Sequence, residues 1–264
     1  MQCLVDARMV HLEYAAGASR DACSVLLLHG AGQDHRAWST LLPGLQRAGH
    51  RVYAPDLPGH SDSAGPPCTS VEALAAWLLE LLDVLGLPRC ALVGHSMGSL
   101  VALHAAALAP QRISHLAMVA TAVPMRVSPV LLERARGDVD AAMRDIAQWS
   151  HKGSREQPAD PRLLDATLRL MQSVQARWPA GDLLATDLAA CDRYADGLEM
   201  ARRVLAPVQL VLGSADRMTP ARATAELRQA IPQAQLSLLD AGHALMQEQP
   251  QALLQALLQL LERT

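Results

Sequence analysis

The chain contains no phenylalanine and a single lysine, Lys152. Its positive charge is therefore almost all arginine. With a formal net charge of -3 it lacks the broad basic face that nucleic-acid binding requires. Cysteine is sparse as well: Cys3, Cys23, Cys68, Cys90 and Cys191 are odd in number and share no CxxC spacing. That argues against a disulfide framework and a structural zinc site, and favours a reducing compartment. The opening "MQCLVDARMVHLEYAAG" has neither a basic start nor a sustained apolar run, so no signal peptide is expected. No apolar segment reaches the ~18 residues needed to cross a bilayer. These absences lead to the expectation of a cytoplasmic protein with neither nucleic-acid nor membrane partners.

What is present is enough hydrophobic material, 50% of 264 residues, for one large core. Near the start, "LVDARMVHLEYA" alternates as one or two strands of an antiparallel hairpin. "CSVLLLHG" is a continuous apolar run that suits a strand buried on both faces. "HRAWSTLLPGLQRAG" has helical spacing, and "RVYAPDLPGHSDS" is a brief strand feeding a Pro/Gly loop. "TSVEALAAWLLELLDVLGL" predicts a helix capped by Thr69 or Ser70 and ended by Gly86. "ISHLAMVATAV", "APVQLVLGS" and "AQLSLLDAGH" read as further strands, and "TPARATAELRQAI" and "QALLQALLQLLE" as helices. Strands alternating with helices imply a mostly parallel sheet covered on both faces. Between Met125 and Arg203 the pattern changes to charged amphipathic helices, a helical insertion on one side of that sheet.

The chemistry concentrates at "CALVGHSMGSLVALHAAALAP", where Ser96 stands between Gly94 and Gly98. A serine lifted above a strand end needs a strained turn, and residues two positions to either side come too close for side chains. The turn places Ser96 at a helix N-terminus, with the Met97 N–H aimed where negative charge develops in acyl transfer. Alone, the pattern fits a plain tight turn as well as a nucleophile. A nucleophile needs a base, and the base an orienting carboxylate. Asp216 in "LVLGSADRMTP" and His243 in "LSLLDAGHALMQEQP" follow in that order, each just beyond a buried strand. A second donor for the oxyanion is expected from the turn His29-Gly30-Ala31-Gly32, with Ala31 the choice.

In these motifs, "LLLHGAG", "APDLPGHSDS", "LVGHSMGS", "GSADRMTP" and "AGHALMQEQP", the chain resembles the α/β-hydrolase superfamily over nearly its whole length. It looks most like bacterial single-domain esterases, lactonases and C–C-bond hydrolases that carry a helical cap. The resemblance implies a core of residues 1–124 and 204–264 and a cap at 125–203. It also implies Ser96 as nucleophile, His243 as base then acid, and Asp216 as orienter. The expected activity is cleavage of a carboxylic ester, lactone or related small acyl compound, with no cofactor or metal, by a monomer or homodimer. Departures are Ser99, where relatives often have glycine, and Pro58-Gly59-His60-Ser61 in place of PGHG. Ala244 stands where C–C-bond hydrolases usually carry tryptophan, which disfavours that class. A perhydrolase or haloperoxidase-like activity uses the same residues and stays open. So does a ligand-binding role on the same scaffold, although such relatives commonly lose a triad member.

The remaining candidates have structural alternatives. His95, His29, His60 and His104 suit bracing or buried hydrogen-bonding roles, and Asp240 suits loop bracing near His243. Cys90 and Cys191 read as inert buried thiols. Gly30, Met97, Trp38, Met143, Trp149, Met171 and Trp178 are candidate pocket residues, with ten methionines as adaptable fillers. Val139, Met143 and Ile146 share a helical face that serves equally to seat the insertion on the core.

Overall fold

A computed structural model describes residues 1–18, 23–153, 156–178 and 180–263. Its strands are β1 (Gln2–Val5), β2 (Arg8–Ala15), β3 (Ser24–Leu28), β4 (Arg51–Pro55), β5 (Cys90–His95), β6 (Ile113–Val119), β7 (Val208–Gly213) and β8 (Gln235–Leu239). They form one sheet in the order β1-β2-β4-β3-β5-β6-β7-β8. The first two strands run antiparallel, and β3 to β8 are parallel. The hairpin between β1 and β2 turns at Asp6 and Ala7, both at positive φ. The apolar run predicted as a doubly buried strand is so: every residue of β3 is buried, as are those of β5 and β7. By contrast β8, expected to be buried before His243, is an edge strand with exposed and half-buried residues.

Helices cover both faces. On one lie α1 (Leu42–Arg47) and the last helix; on the other lie α2 (Val71–Val84) and α3 (Met97–Leu108). Ser70, of the two candidates, caps α2 by accepting the Ala73 N–H, and Gly86 takes positive φ beyond its end. The single helix expected from "HRAWSTLLPGLQRAG" is instead a 3-10 turn at His35–Trp38 followed by α1. Asp34 caps the first piece, and Pro43 begins the second.

Between β6 and β7 the chain leaves the sheet through α4 (Pro129–Gly137), α5 (Val139–Ser150), α6 (Pro161–Gln175), α7 (Leu183–Arg193) and α8 (Gly197–Arg202). Within the helical region expected at 125–203, residues 154–155 and 179 lie outside the described ones. Leu131, Met143, Ile146, Met171, Leu184 and Leu188 give this excursion a small apolar cluster of its own. The chain then completes the sheet, with α9 (Ala225–Ala230) before β8, and ends in α10 (Leu245–Glu248) and α11 (Pro250–Leu261). Among the described residues no helix is long and apolar enough to cross a membrane.

The strand order also locates a crevice. From β3 the chain crosses to β4 on one side, and from β4 it returns to β5 on the other. The loops leaving β3 and β5 therefore diverge, and α/β sheets bind ligands at such a switch point.

Candidate active site

At the end of β5 the backbone turns sharply. Ser96 has φ 51° and ψ -118°, a conformation that costs a non-glycine residue about 1–3 kcal/mol. The neighbouring glycines make this turn possible through close approach. A Cβ on Gly94 would overlap the carbonyl oxygen of Gly98, and one on Gly98 would overlap that of Leu28 on the adjacent strand. The Ser96 N–H donates to Val119 O at 2.9 Å, tying the corner to β6. Ser99 adds a brace, its hydroxyl donating to Ser96 O at 2.6 Å and lying 2.7 Å from Thr121 Oγ1.

The loops after β7 and β8 bring Asp216 and His243 together. His243 Nδ1 lies 2.9 Å from Asp216 Oδ2. A carboxylate accepts only, so Nδ1 carries the proton and Nε2 is left as the acceptor. Nε2 makes no hydrogen bond to the described residues. Asp216 is held in turn. Its Oδ1 accepts the N–H groups of Met218 (2.8 Å) and Thr219 (2.9 Å), and Oδ2 accepts the Thr219 hydroxyl (2.8 Å). Burial alone would raise its pKa, but His243 and these donors outweigh that and hold the carboxyl well below its usual range. From the neighbouring elements, Ala244 N donates to Ser150 O at the end of α5, and Glu248 accepts the Gly242 N–H.

The turn after β3 faces the corner; a Cβ on Gly30 would stand 3.3 Å from Ser96 Cβ. In this turn the Gly30 N–H donates to Gln33 Oε1 (3.2 Å) and the Gly32 N–H to Asp187 Oδ2 on α7 (2.8 Å). The Ala31 N–H between them donates to none of the described residues, and neither does the Met97 N–H at the start of α3. His29 braces the turn as a neutral ring. Nδ1 donates to Gly30 O (2.9 Å), Nε2 accepts the Leu57 N–H (3.0 Å), and burial pushes its pKa down to about 4. His95 is likewise neutral, pushed down to about 3 by burial and by His243, and its Nε2 donates to His243 O at 3.0 Å.

Of these groups, Gly30, Ala31, Gln33, His95, Ser96, Met218, Thr219 and His243 border one cavity of about 240 Å³. Gly30, Ala31, His95, Ser96, Thr219 and His243 bring the reactive and hydrogen-bonding groups to its wall. Ile146, Trp149 and Leu188 come from the helical excursion. Of the pocket candidates, Gly30 and Trp149 line the cavity, and Trp38, Met97, Met143, Met171 and Trp178 do not. The Trp38 and Met97 side chains are fully buried in the core beneath. Met143 and Met171 fill the interior of the excursion, and Trp178 packs over Gly65, its Nε1 donating to Asp182. Asp240 is exposed and paired with Lys152, away from His243. Cys90 is pushed up to about 12 by burial, and burial also raises Cys191, which lines the cavity wall.

Two features escaped sequence reasoning. Thr219 clasps Asp216 and had a local signal, since a hydroxyl three residues after an aspartate commonly closes a turn. Asp187 is a carboxylate inside the apolar stripe Leu183, Leu184, Leu188, Cys191 of α7, a stripe that marks it as buried and therefore partnered. Its second partner is His60, at 2.9 Å. Among the described residues His11, His35 and Asp56 offer donor atoms within 4.8 Å of one another, as a cation would need. None of the three lines the cavity, and His35 is already hydrogen-bonded to Asp56.

The chain matches the alpha/beta hydrolase fold family over residues 24–250. It is 31% identical to a protein of Stutzerimonas stutzeri named as a carbamate hydrolase, RutD, over 68% of each chain. It is also 31% identical to a pimeloyl-[acyl-carrier protein] methyl ester esterase of Chromobacterium violaceum, over 78% of this chain and 82% of the relative. In structure it overlays the enol-lactonase of Burkholderia xenovorans with a TM-score of 0.85, over the whole of both chains at 24% identity. The chain belongs to the α/β hydrolase fold family and is an enzyme of it.

Proposed function

We propose that this enzyme is a serine hydrolase that cleaves a carboxylic ester, lactone or related acyl compound through an acyl-enzyme on Ser96. One observation carries the reading. Ser96 is held in a strained conformation in the same cavity as a histidine whose Nδ1 is committed to a buried aspartate and whose Nε2 is free. His243 Nε2 takes the proton as Ser96 Oγ attacks the carbonyl carbon, then delivers it to the departing alkoxide. Water, deprotonated by the same nitrogen, then releases the acid and restores Ser96. Asp216 fixes the tautomer and steadies the imidazolium formed in between.

The negative oxygen of the tetrahedral intermediate is received by the N–H groups of Ala31 and Met97. Donors already aimed at developing charge need no reorganisation, and losing one costs roughly 100-fold or more in rate. Support comes from the neighbouring N–H groups of Gly30 and Gly32, both of which have acceptors while that of Ala31 has none. The excursion at 125–203 acts as a cap whose Ile146, Trp149 and Leu188 shape the acyl site. The two curated relatives are named for cleaving a carbamate and a methyl ester, both acyl compounds.

A fluorophosphonate probe tests the reading. The wild type should be labelled at Ser96 and lose esterase activity in step, and Ser96→Ala should do neither. Equal labelling of the variant would overturn it.

A further inference from the structure

We propose that the substrate carries a carboxylate at the end remote from the scissile carbonyl, received at the cavity mouth by Arg126 and Arg217; this rests on the hydrolase reading above. The cavity wall combines reactive, apolar and cationic side chains, and its two arginines are exposed. Ser96, His243 and Ala31, whose N–H is free, line it together with the apolar side chains of Met125, Val127, Leu131, Ile146, Trp149 and Met218. The charged residues of the lining are Arg126, from the start of the cap, and Arg217, from the loop after β7. No aspartate or glutamate lines the cavity among the described residues. Neutral His95 adds no positive charge.

The arginines are also largely uncommitted. Both are exposed, and Arg217 makes no hydrogen bond or ion pair with the described residues. Arg126 gives one N–H to the backbone oxygen of Asp192, leaving the rest of its guanidinium open. Asp216, next to Arg217 in sequence, and Asp192, whose backbone Arg126 contacts, are engaged elsewhere. Asp216 is saturated by His243, Thr219 and two backbone N–H groups, and Asp192 Oδ1 accepts the Val127 N–H.

A guanidinium presents paired donors that match a carboxylate and is weakly hydrated enough to work beside apolar surface. Two of them, beside apolar side chains and with no acid in the wall, select an acyl chain with an anionic tail. A neutral chain of equal length meets the same apolar side chains but leaves both cations without a partner.

The test is a matched pair of esters, mono-p-nitrophenyl glutarate and p-nitrophenyl valerate, alike in acyl length and differing in the terminal carboxylate. We expect wild-type kcat/KM to favour the glutarate by about tenfold or more, as charged hydrogen bonds warrant. The preference should reside mainly in KM, shrink in 0.5 M salt and collapse in Arg126→Gln/Arg217→Gln, with each single variant intermediate. Both esters are also scored as protectants against fluorophosphonate labelling, so the preference is read even where turnover is slow. Equal kcat/KM and equal protection in the wild type, or a preference that survives in the double variant, overturns the proposal and leaves the serine hydrolase standing. Absence of both labelling and ester cleavage overturns the hydrolase reading itself, and this inference with it.

Discussion

Two histidine–aspartate pairs are fully buried in this enzyme, His243–Asp216 and His60–Asp187, and each is closed at 2.9 Å. They differ in what the second ring nitrogen meets. His243 offers Nε2 to the cavity without a partner. His60 spends both nitrogens on acceptors, Nδ1 on the carbonyl of Pro58 (3.1 Å) and Nε2 on Asp187. A ring facing two acceptors satisfies both only when it carries both protons, which favours an imidazolium at His60 and an ion pair with Asp187. Its pKa agrees. Burial alone would lower it, but Asp187 and the Pro58 carbonyl outweigh that and raise it. Asp187 belongs to α7 of the helical excursion and also holds the Gly32 N–H, so this second pair fastens the excursion to the proposed oxyanion loop. The same two residue types at the same distance thus leave a free acceptor, the proposed base, in one place and a clasp in the other. The free nitrogen decides which.

The largest effect should separate the pairs outright. His243→Ala is expected to lower kcat for ester hydrolysis by about 10⁴–10⁶-fold, because it removes the proposed base. Its loss of Tm should be smaller than that of His60→Ala, since Thr219 and two backbone N–H groups still hold Asp216. His60→Ala should do the opposite, keeping far more of the activity and losing stability. Steady-state kinetics beside thermal unfolding reads both. If His60→Ala abolishes turnover at unchanged Tm, the division of labour is wrong.

The aspartates sharpen the contrast at a smaller scale. Asp216→Asn allows the wrong tautomer of His243, and kcat should fall by about 10⁴-fold. Asp187→Asn leaves a buried imidazolium without its counter-charge, which costs about 3 kcal/mol or more. For a domain of this size that lowers Tm by roughly 6–12 °C. A looser Gly32 should also cost kcat, by about 10-fold, with KM nearly unchanged. A larger fall in kcat from Asp187→Asn than from Asp216→Asn would reverse the assignment.

How far each pair was legible in the sequence follows from where its parts lie. The Ser96 corner is local: two glycines, a strand before and a helix after, all within one stretch. Asp216 and His243 each sit just past an apolar strand, so the parallel sheet carries them to one edge without any knowledge of packing. His60 and Asp187 are 127 residues apart and meet only because α7 of the helical excursion packs against the loop after β4. No local pattern holds that information. The pocket shows the same limit. Trp38, Met143, Met171 and Trp178 were expected there because apolar residues read alike whether they face a cavity or a core, and helical period reports a buried face but not what it is buried against. Ile146, read as a seat for the cap, lines the cavity instead.

The smallest effect is the dependence of stability on pH, where the two pairs should fail at opposite ends of the scale. Asp216 has its pKa depressed in the folded protein. Its contribution is present above the ordinary carboxylate range and is lost as pH falls through the folded value. His60 has its pKa raised. Its contribution is complete below the ordinary histidine value and is lost as pH rises through the raised one. Tm should therefore decline by a few degrees as pH rises above the ordinary histidine value, as the clasp gives up its proton. His35, whose pKa Asp56 raises against the effect of burial, acts in the same direction. The share due to His60 is consequently the difference between the wild type and His60→Gln, which keeps a side chain able to donate to Asp187 but cannot titrate. If the two Tm curves run parallel from pH 6 to 9, His60 is not charged in the folded enzyme, and the clasp is an ordinary neutral hydrogen bond.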